Sequence, residues 1–202
     1  MPPRFIARQL SRPTGFLGYL VGGLMNRHNA KLNAFALQQL ELTPQDRVLE
    51  IGFGGGVMLP PLIERAAFVG GVDRSPDVVE RARASSSAAV TAGRADFREG
   101  TVEALPFETA SFGKACTVNT VYFWKSLAEG FSEIHRVLRP GGRVVVGFLP
   151  KEHMDGKGYP PDIFTARAPD DVTSALIQAG FNGVRVLRPT PTTAWNVIVA
   201  TR

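Results

Sequence analysis

Residues 48–56, with the sequence VLEIGFGGG, join a short apolar run to a glycine-rich loop. The run is too short and too continuously apolar for a surface helix, and it predicts a buried β-strand. Glycines at 52, 54 and 56 allow positive φ angles and a close approach of the backbone to a ligand. Amide groups at the start of a following helix can face a carboxylate or a phosphate. This segment therefore predicts a ligand-binding turn at the carboxyl end of a strand, where open α/β sheets bind their ligands.

Strand-like and helix-like segments alternate through the rest of the chain. The predicted strands are 47–52, 68–72, 94–99, 112–119 and 143–149, followed by two alternating stretches at 183–187 and 194–201. The predicted helices are 58–67, 76–84, 126–138 and 169–179, with loops at 85–93 and 150–168. This order predicts an α/β fold with a mostly parallel sheet covered by helices on both faces. The last two stretches predict an antiparallel pair.

The composition indicates a single ordinary globular domain in a reducing compartment. The 202 residues are 44% hydrophobic and 20% charged, which is typical of such domains. The one cysteine, Cys116, cannot form an internal disulfide and lies in a predicted buried strand. We therefore expect a cytoplasmic protein. The net charge of +5 arises from scattered residues, and the absence of a basic block argues against nucleic-acid binding.

The first forty residues differ from the rest because they contain no acidic residue before Glu41. Within them, residues 15–25 form an apolar run interrupted by four glycines, too short for the roughly 20 residues of a membrane span. We expect residues 1–40 to form a helical arm that caps a ligand site on a domain of residues 41–202. Peripheral contact of this arm with a membrane surface is the alternative.

Two acidic residues lie near the predicted turn. Asp73 follows the second strand, 21 positions after Gly52, where a carboxylate can accept hydrogen bonds from both hydroxyls of a ribose. A dinucleotide such as NAD fits this pattern, and so does S-adenosylmethionine. Glu50 precedes the first glycine by two residues and could bind the ammonium of a methionine moiety, a cation that a dinucleotide lacks. This favours S-adenosylmethionine and leaves an NAD-dependent oxidoreductase as an alternative.

Four segments together carry a resemblance to a known family. They are VLEIGFGGG (48–56), VGGVDRSPDVVERAR (69–83), EGTVEALPFETASF (99–112) and EIHRVLRPGGRVVV (133–146). With them the chain resembles the class I S-adenosylmethionine-dependent methyltransferases, in the small-molecule branch related to ubiquinone biosynthesis (methyltransferase domain 11 type). The resemblance implies a Rossmann-like, seven-stranded, mostly parallel sheet whose last strand is antiparallel and inserted between the fifth and sixth. It also implies methyl transfer to an oxygen, nitrogen or carbon atom of a small molecule, with S-adenosylhomocysteine as product and no metal.

The resemblance also implies which residues bind the cofactor, because they occupy the positions of the family's cofactor-binding residues. Its residues are Glu50, Gly52, Phe53, Gly54, Gly56, Asp73, Arg74, Thr101, Val102 and Asn119. Glu50 would hold the amino group of the methionine moiety, Asp73 the ribose hydroxyls, and Arg74 would stack near the adenine. The family often has an aspartate at the position of Thr101, where it takes the adenine amino group. Because a hydroxyl is a weaker acceptor, the backbone of Val102 is expected to carry more of the adenine recognition.

The sequence contains fewer motifs that could mark the site of the methyl acceptor. Asn119 to Tyr122 has the spacing of the N-P-P-Y motif of nucleic-acid methyltransferases, but both prolines are missing, which argues against base methylation. The predicted catalytic residues are His28 and Tyr122, with a general base needed only if the nucleophile is a hydroxyl. The predicted substrate contacts are Asn26, Asn29, Tyr122, Trp124, His153 and Tyr159. A cofactor-binding protein without catalysis, and a lipid methyltransferase that uses the arm as an anchor, remain as alternatives.

Overall fold

The computed structural model describes Arg4, Ser11, residues 29–155 and residues 159–202. Most of the predicted arm, including Asn26 and His28, therefore lies outside the described residues. Within them, no helix is long and apolar enough to cross a membrane.

A seven-stranded sheet forms the centre of the fold and confirms the expected topology. Its strands are β1 Arg47–Ile51, β2 Phe68–Asp73, β3 Ala95–Glu99, β4 Phe112–Val118, β5 Leu138–Phe148, β6 Asn182–Leu187 and β7 Asn196–Thr201. Their spatial order is β3-β2-β1-β4-β5-β7-β6. The first five strands run parallel, while β7 pairs antiparallel with both β5 and β6. The last strand in sequence thus lies between the fifth and sixth, as the family resemblance implied.

Helices cover both faces of this sheet. They are α1 Ala30–Gln39, α2 Leu59–Arg65, α3 Pro76–Ser85, α4 Ser87–Thr91, α5 Leu127–Val137, α6 Lys151–Met154 and α7 Pro169–Gln178. On one face Phe131 and Ile134 of α5 and Leu176 of α7 pack against the sheet in one buried cluster. On the other face α1, α2 and α3 bury a second cluster that includes Leu32 and Leu62. Because the central strands are covered on both sides, their residues are almost continuously apolar.

The structure corrects three element predictions. Residues 87–91, expected to be loop, form α4, because Ala88, Ala89 and Val90 continue a helical course after Ser86. β5 begins at Leu138 and not at Arg143, since Leu138 already pairs with Phe112 before the irregularity that Pro140–Gly142 introduces. The connection after β5, expected to be without regular structure, begins with the short helix α6.

Two side chains outside the cavity also bear on the predictions. Cys116 is fully buried in β4, which confirms its interpretation as a core residue. His135 lies away from the apolar positions of the helical pattern 126–138, which predicts a solvated ring, but its ring packs edge-on against Phe181, with 5.3 Å between the ring centroids. Desolvation by burial, together with the charge of Arg202, lowers the pKa of His135. The histidine therefore helps to attach α5 to the start of β6.

Candidate active site

The carboxyl ends of the parallel strands open into a cavity of about 420 Å³. The tips of β1, β2 and β4 and the segments after β3 and β5 contribute to its wall, and α1 contributes from the side of the predicted arm. Carboxyl ends of adjacent parallel strands lie at one edge of a sheet, which is where an open α/β sheet leaves a crevice. One hollow therefore collects side chains from segments that are distant in sequence.

Glu50 lies at the β1 end of this cavity. Glu50 is only 6% exposed, and its Oε2 atom has no hydrogen-bond partner among the residues that the structure describes. Burial, with a smaller contribution from the charge of Asp73, raises the pKa of Glu50 to about 8. A buried carboxylate oxygen without a partner is costly, and a cationic ligand in the cavity would remove that cost.

Asp73 ends the neighbouring strand β2 and lines the same cavity. The N–H of Gly54 donates to its Oδ2 at 2.9 Å, and the N–H of Ser75 donates to its Oδ1 at 3.0 Å. Burial raises the pKa of Asp73, while these backbone hydrogen bonds act in the opposite direction. The carboxylate thus links the glycine loop to the tip of β2. The two acids that the sequence singled out are brought together at adjacent strand tips.

The glycine loop is shaped by contact with the tip of β4. Gly52 has φ +71°, and a Cβ atom added there would lie 2.5 Å from Cγ2 of Thr120. Thr117 donates from Oγ1 to the carbonyl of Ile51 at 3.0 Å, and its hydroxyl is also bonded to that of Thr120. Trp124 donates from Nε1 to Thr120 Oγ1 at 3.1 Å. Only glycine fits at position 52, because the β4 tip is held so close to the loop.

The predicted cofactor residues mostly line the cavity, with one exception. Lining positions are occupied by Glu50, Gly52, Phe53, Gly54, Asp73, Arg74, Thr101, Val102 and Asn119. Gly56 is not among them and instead closes the turn, with its N–H donating to the carbonyl of Phe53 at 2.7 Å. Gly55, which the sequence analysis did not select, lines the cavity. Thr101 is exposed and forms an isolated bridge with Ala104.

Aromatic rings dominate the end of the cavity that the segments after β4 and β5 form. Tyr122, Phe123, Tyr159 and Phe164 line it and contact one another, with centroid separations of 4.7 Å for Phe123–Phe164 and 4.8 Å for Tyr159–Phe164. Trp124 also lines the cavity and packs its ring against Phe131. These residues belong to two loops, and their rings build a largely apolar wall.

The hydroxyl of Tyr122 is engaged with the protein. It accepts a hydrogen bond from the N–H of Leu149 at 2.5 Å and lies 3.0 Å from Oδ1 of Asn119. Burial raises the pKa of Tyr122. Asn119 itself has φ +57°, a left-handed conformation that asparagine tolerates better than most residues. Tyr122 therefore ties the end of β4 to the end of β5, and its predicted catalytic role stays a prediction.

The remaining predicted substrate residues divide into three groups. Asn29 and Tyr159 line the cavity with Tyr122 and Trp124. His153 lies on α6 but is not among the lining residues; its Nδ1 is 3.9 Å from a carboxylate oxygen of Glu152. Asn26 and His28 lie outside the described residues.

Several lining residues were not selected from the sequence. They are Leu32, Asn33, Val57, Glu103, Thr120, Lys125, Leu149, Met154, Phe164 and Trp195. Only Glu103 has a signal of its own, since it directly follows the Thr101–Val102 pair that the resemblance already assigned to the adenine. Val57 directly follows the glycine loop. The others come from α1, from the β4 loop and from the C-terminal part of the chain, and no local pattern marks them.

Comparison with known proteins agrees with this architecture. Residues 49–146 match the family described as "Methyltransferase domain". An uncharacterised methyltransferase, YdaC of Bacillus subtilis, is 28% identical over 66% of this chain and 72% of its own length. A demethylmenaquinone methyltransferase of Chlorobaculum tepidum is 31% identical over 71% of this chain and 59% of its own length. The chain spans 39% to 59% of the length of seven of the curated relatives that it matches, this one included.

A solved structure shares the fold. The S-adenosylmethionine-dependent methyltransferase of Mesorhizobium loti superposes with a TM-score of 0.69 over 84% of this chain and 96% of its own, at 20% identity. The matched segment contains β1 with its glycine loop and Asp73, and it extends into β5. Residues 49–146 are therefore a methyltransferase domain, and the strand order of the whole sheet is the one that the resemblance to class I S-adenosylmethionine-dependent methyltransferases implied.

Proposed function

We propose that this chain transfers the methyl group of S-adenosylmethionine to a small, largely apolar molecule in the cytoplasm, with S-adenosylhomocysteine as product. The observation that carries this proposal is the buried Oε2 atom of Glu50, which has no partner in the described part of the chain and lies in one cavity with the buried Asp73. Proteins seldom leave such an atom unsatisfied unless a ligand or a water completes it. The amino group of a methionine moiety is a ligand of the required charge.

The residues present fit this cofactor better than a dinucleotide. Glu50 would bind the ammonium, Asp73 the ribose hydroxyls, and the loop from Gly52 to Gly55 would allow close approach of the backbone. A dinucleotide places a pyrophosphate near such a loop, where Glu50 offers no positive charge to bind it and would repel it whenever the side chain is ionised. This argument disfavours the NAD-dependent alternative.

The bound cofactor would supply a methyl group on a positively charged sulfur, which is already activated for transfer. The protein then has to hold the acceptor in line with that methyl group and to exclude water. Positioning of this kind can lower a barrier by about 7–11 kcal/mol. The wall formed by Tyr122, Phe123 and Phe164 is suited to both tasks, because its rings contact one another and are largely apolar.

The lining of the acceptor end favours an acceptor without a positive charge. Among the described residues that line this end, from α1, the β4 loop and residues 149–164, none carries a carboxylate or an imidazole. Tyr122 is poorly suited to act as a base, since its hydroxyl is engaged by Leu149 and burial raises its pKa. The predicted role of His28 as a base remains a prediction, as do the substrate contacts of Asn26 and His153. The methyl acceptor in this proposal is an oxygen, nitrogen or carbon atom on an aromatic or lipid-like molecule.

The arm, residues 1–40, would cap the cavity over the acceptor. Two observations support this part of the proposal. Asn29, Leu32 and Asn33, which belong to α1 or directly precede it, line the cavity together with Ser11. Arg4 also forms an ion pair of 2.5 Å with Asp162 in the connection that follows β5.

Titration calorimetry tests the cofactor directly. We expect micromolar binding of S-adenosylmethionine and S-adenosylhomocysteine and no binding of NAD. Glu50→Gln and Asp73→Asn should each weaken nucleoside binding at least tenfold, because each removes a charged partner of the ligand. Glu64→Gln, at an exposed position on α2, is the matched control and should bind as the wild type does.

Release of S-adenosylhomocysteine in the presence of a panel of aromatic and lipid-like acceptors tests catalysis. Turnover with at least one of them would support the enzyme. Tight binding without turnover on any acceptor class would favour the non-catalytic alternative, and NAD binding alone would refute the proposal.

A further inference from the structure

The carboxylate of Glu103, which the proposed function does not use, lies at the β3 end of the cavity. Glu103 lines this end together with Arg74, Gly100, Thr101 and Val102, all of which follow the tips of β2 and β3. In the strand order β3-β2-β1-β4, this end lies beyond Asp73 as seen from Glu50. If Glu50 binds the amino acid moiety and Asp73 the ribose, the adenine falls at the β3 end.

The position of Glu103 is set by the neighbouring loop. The backbone N–H of Lys125 donates to its Oε1 at 2.8 Å, so one oxygen is held by the segment that follows β4. The side chain is only partly buried, and no ion pair of Glu103 occurs within the described part of the chain. The second oxygen is therefore available as a hydrogen-bond acceptor toward the cavity.

Thr101 is less well placed to act as that acceptor. It is exposed, and its backbone is bridged to Ala104 in a tight turn that brings Glu103 to the wall of the cavity. A hydroxyl is also a weaker acceptor than a carboxylate. The exocyclic amino group of adenine donates two hydrogen bonds, and a carboxylate that accepts one of them distinguishes adenine from a base with an oxygen at that position.

We propose that Glu103, oriented by the N–H of Lys125, binds the exocyclic amino group of the adenine and selects the 6-amino nucleoside in place of Thr101. This inference rests on the proposed function, because it takes the cavity to be a site for S-adenosylmethionine. It predicts that discrimination against a 6-oxo base resides at position 103 and not at position 101. A carbonyl oxygen would face the carboxylate at the same place, and two acceptors repel each other.

The test compares S-adenosylhomocysteine with its 6-oxo analogue, which carries hypoxanthine, by titration calorimetry. The wild type should bind the amino compound at least tenfold more tightly, because a hydrogen bond to a charged group is lost and an unpaired acceptor remains. Glu103→Ala should weaken binding of S-adenosylhomocysteine about tenfold and reduce the preference to less than threefold. Glu99→Gln, at an exposed position at the end of β3 outside the cavity lining, is the matched control and should keep both the affinity and the preference within about threefold. Thr101→Val should keep the preference for the amino compound.

Glu103→Gln separates recognition from loop positioning. Its amide oxygen can still accept from Lys125, while its NH₂ group can donate to a 6-oxo base. We therefore expect thermal stability like that of the wild type and a preference that is abolished or reversed. This variant decides the matter even if Glu103→Ala fails to fold.

Two results would overturn the inference in different ways. If the wild type binds S-adenosylhomocysteine but both Glu103 variants keep its preference, Glu103 does not contact the base and the proposed function still stands. If the wild type binds neither nucleoside, the proposed function fails, and the inference fails with it.

Discussion

Replacing the buried Glu50 by glutamine should stabilise the ligand-free protein at neutral pH and at the same time weaken its binding of S-adenosylhomocysteine. Glu50 is 6% exposed, and burial raises its pKa from the ordinary 4.5 to about 8. The folded state therefore holds a proton that the unfolded chain releases above about pH 4.5. The free energy of unfolding falls as the pH rises through this window and levels off above about pH 8.

The magnitude follows from those two pKa values. Each pH unit between them costs about 1.4 kcal/mol, so this group lowers the stability of the wild type by about 3 kcal/mol between pH 4.5 and pH 7. Glutamine has nearly the same volume and does not ionise, so it lacks this cost. For a chain of this size, about 3 kcal/mol corresponds to a rise of roughly 6–12 °C in the midpoint of thermal unfolding.

Thermal unfolding from pH 4.5 to pH 8, followed by circular dichroism, measures this effect. The midpoint of Glu50→Gln should exceed that of the wild type by an amount that grows with pH, while Glu64→Gln should follow the wild type throughout. A difference between Glu50→Gln and the wild type that stays constant over this range would refute the reasoning, because it would show that Glu50 does not change its ionisation in that window. A gain in stability together with a loss of binding would fit a residue that is retained for its ligand.

Three further predictions concern the same cavity. Binding of S-adenosylhomocysteine at pH 7 should release about one proton, which calorimetry in buffers of different ionisation enthalpy measures. The affinity should fall about tenfold from pH 7 to pH 6, because Glu50, with its pKa of about 8, becomes harder to ionise. Binding that does not depend on pH would contradict this prediction. Gly52→Ala should lower the free energy of unfolding, measured by urea denaturation, by more than Gly93→Ala does. Both glycines have positive φ, but only at position 52 would the new methyl group meet Thr120. Equal losses in the two variants would show that this contact is unimportant. Tyr122→Phe should lower the free energy of unfolding by about 1–3 kcal/mol, since the N–H of Leu149 loses its acceptor. The substitution should leave the pH profile of turnover unchanged. Loss of an ionisation from that profile would indicate that Tyr122 acts as a base.

The sheet and its two acids could be predicted from the sequence. Short apolar runs alternate with helical patterns, and this local signal survives folding because central parallel strands are buried on both faces. Glu50 and Asp73 each follow from their place relative to a strand end, and the ends of parallel strands must meet at one edge. No tertiary information was needed to expect them in the same place.

Some boundaries could not be predicted because pairing decides them. Pro140–Gly142 looks like a plain turn between a helix and a strand. In the structure, Leu138 already pairs with Phe112, so β5 begins before that turn. Likewise His135 looks solvated on its own helix, and it is the approach of Phe181 from another element that covers it.

The fold class and the pair of acids could thus be predicted from local patterns, whereas the set of aromatic side chains that meet in the cavity depends on how the strands are ordered. Asn29, Tyr122, Phe164 and Trp195 come from four separate segments and line one cavity. Trp195 directly precedes β7, and it reaches the cavity because β7 is inserted between β5 and β6 and brings the end of the chain back beside β5. The physical reason is that hydrophobic burial is non-directional: it marks a residue as apolar, but the arrangement of the strands determines which apolar residues meet.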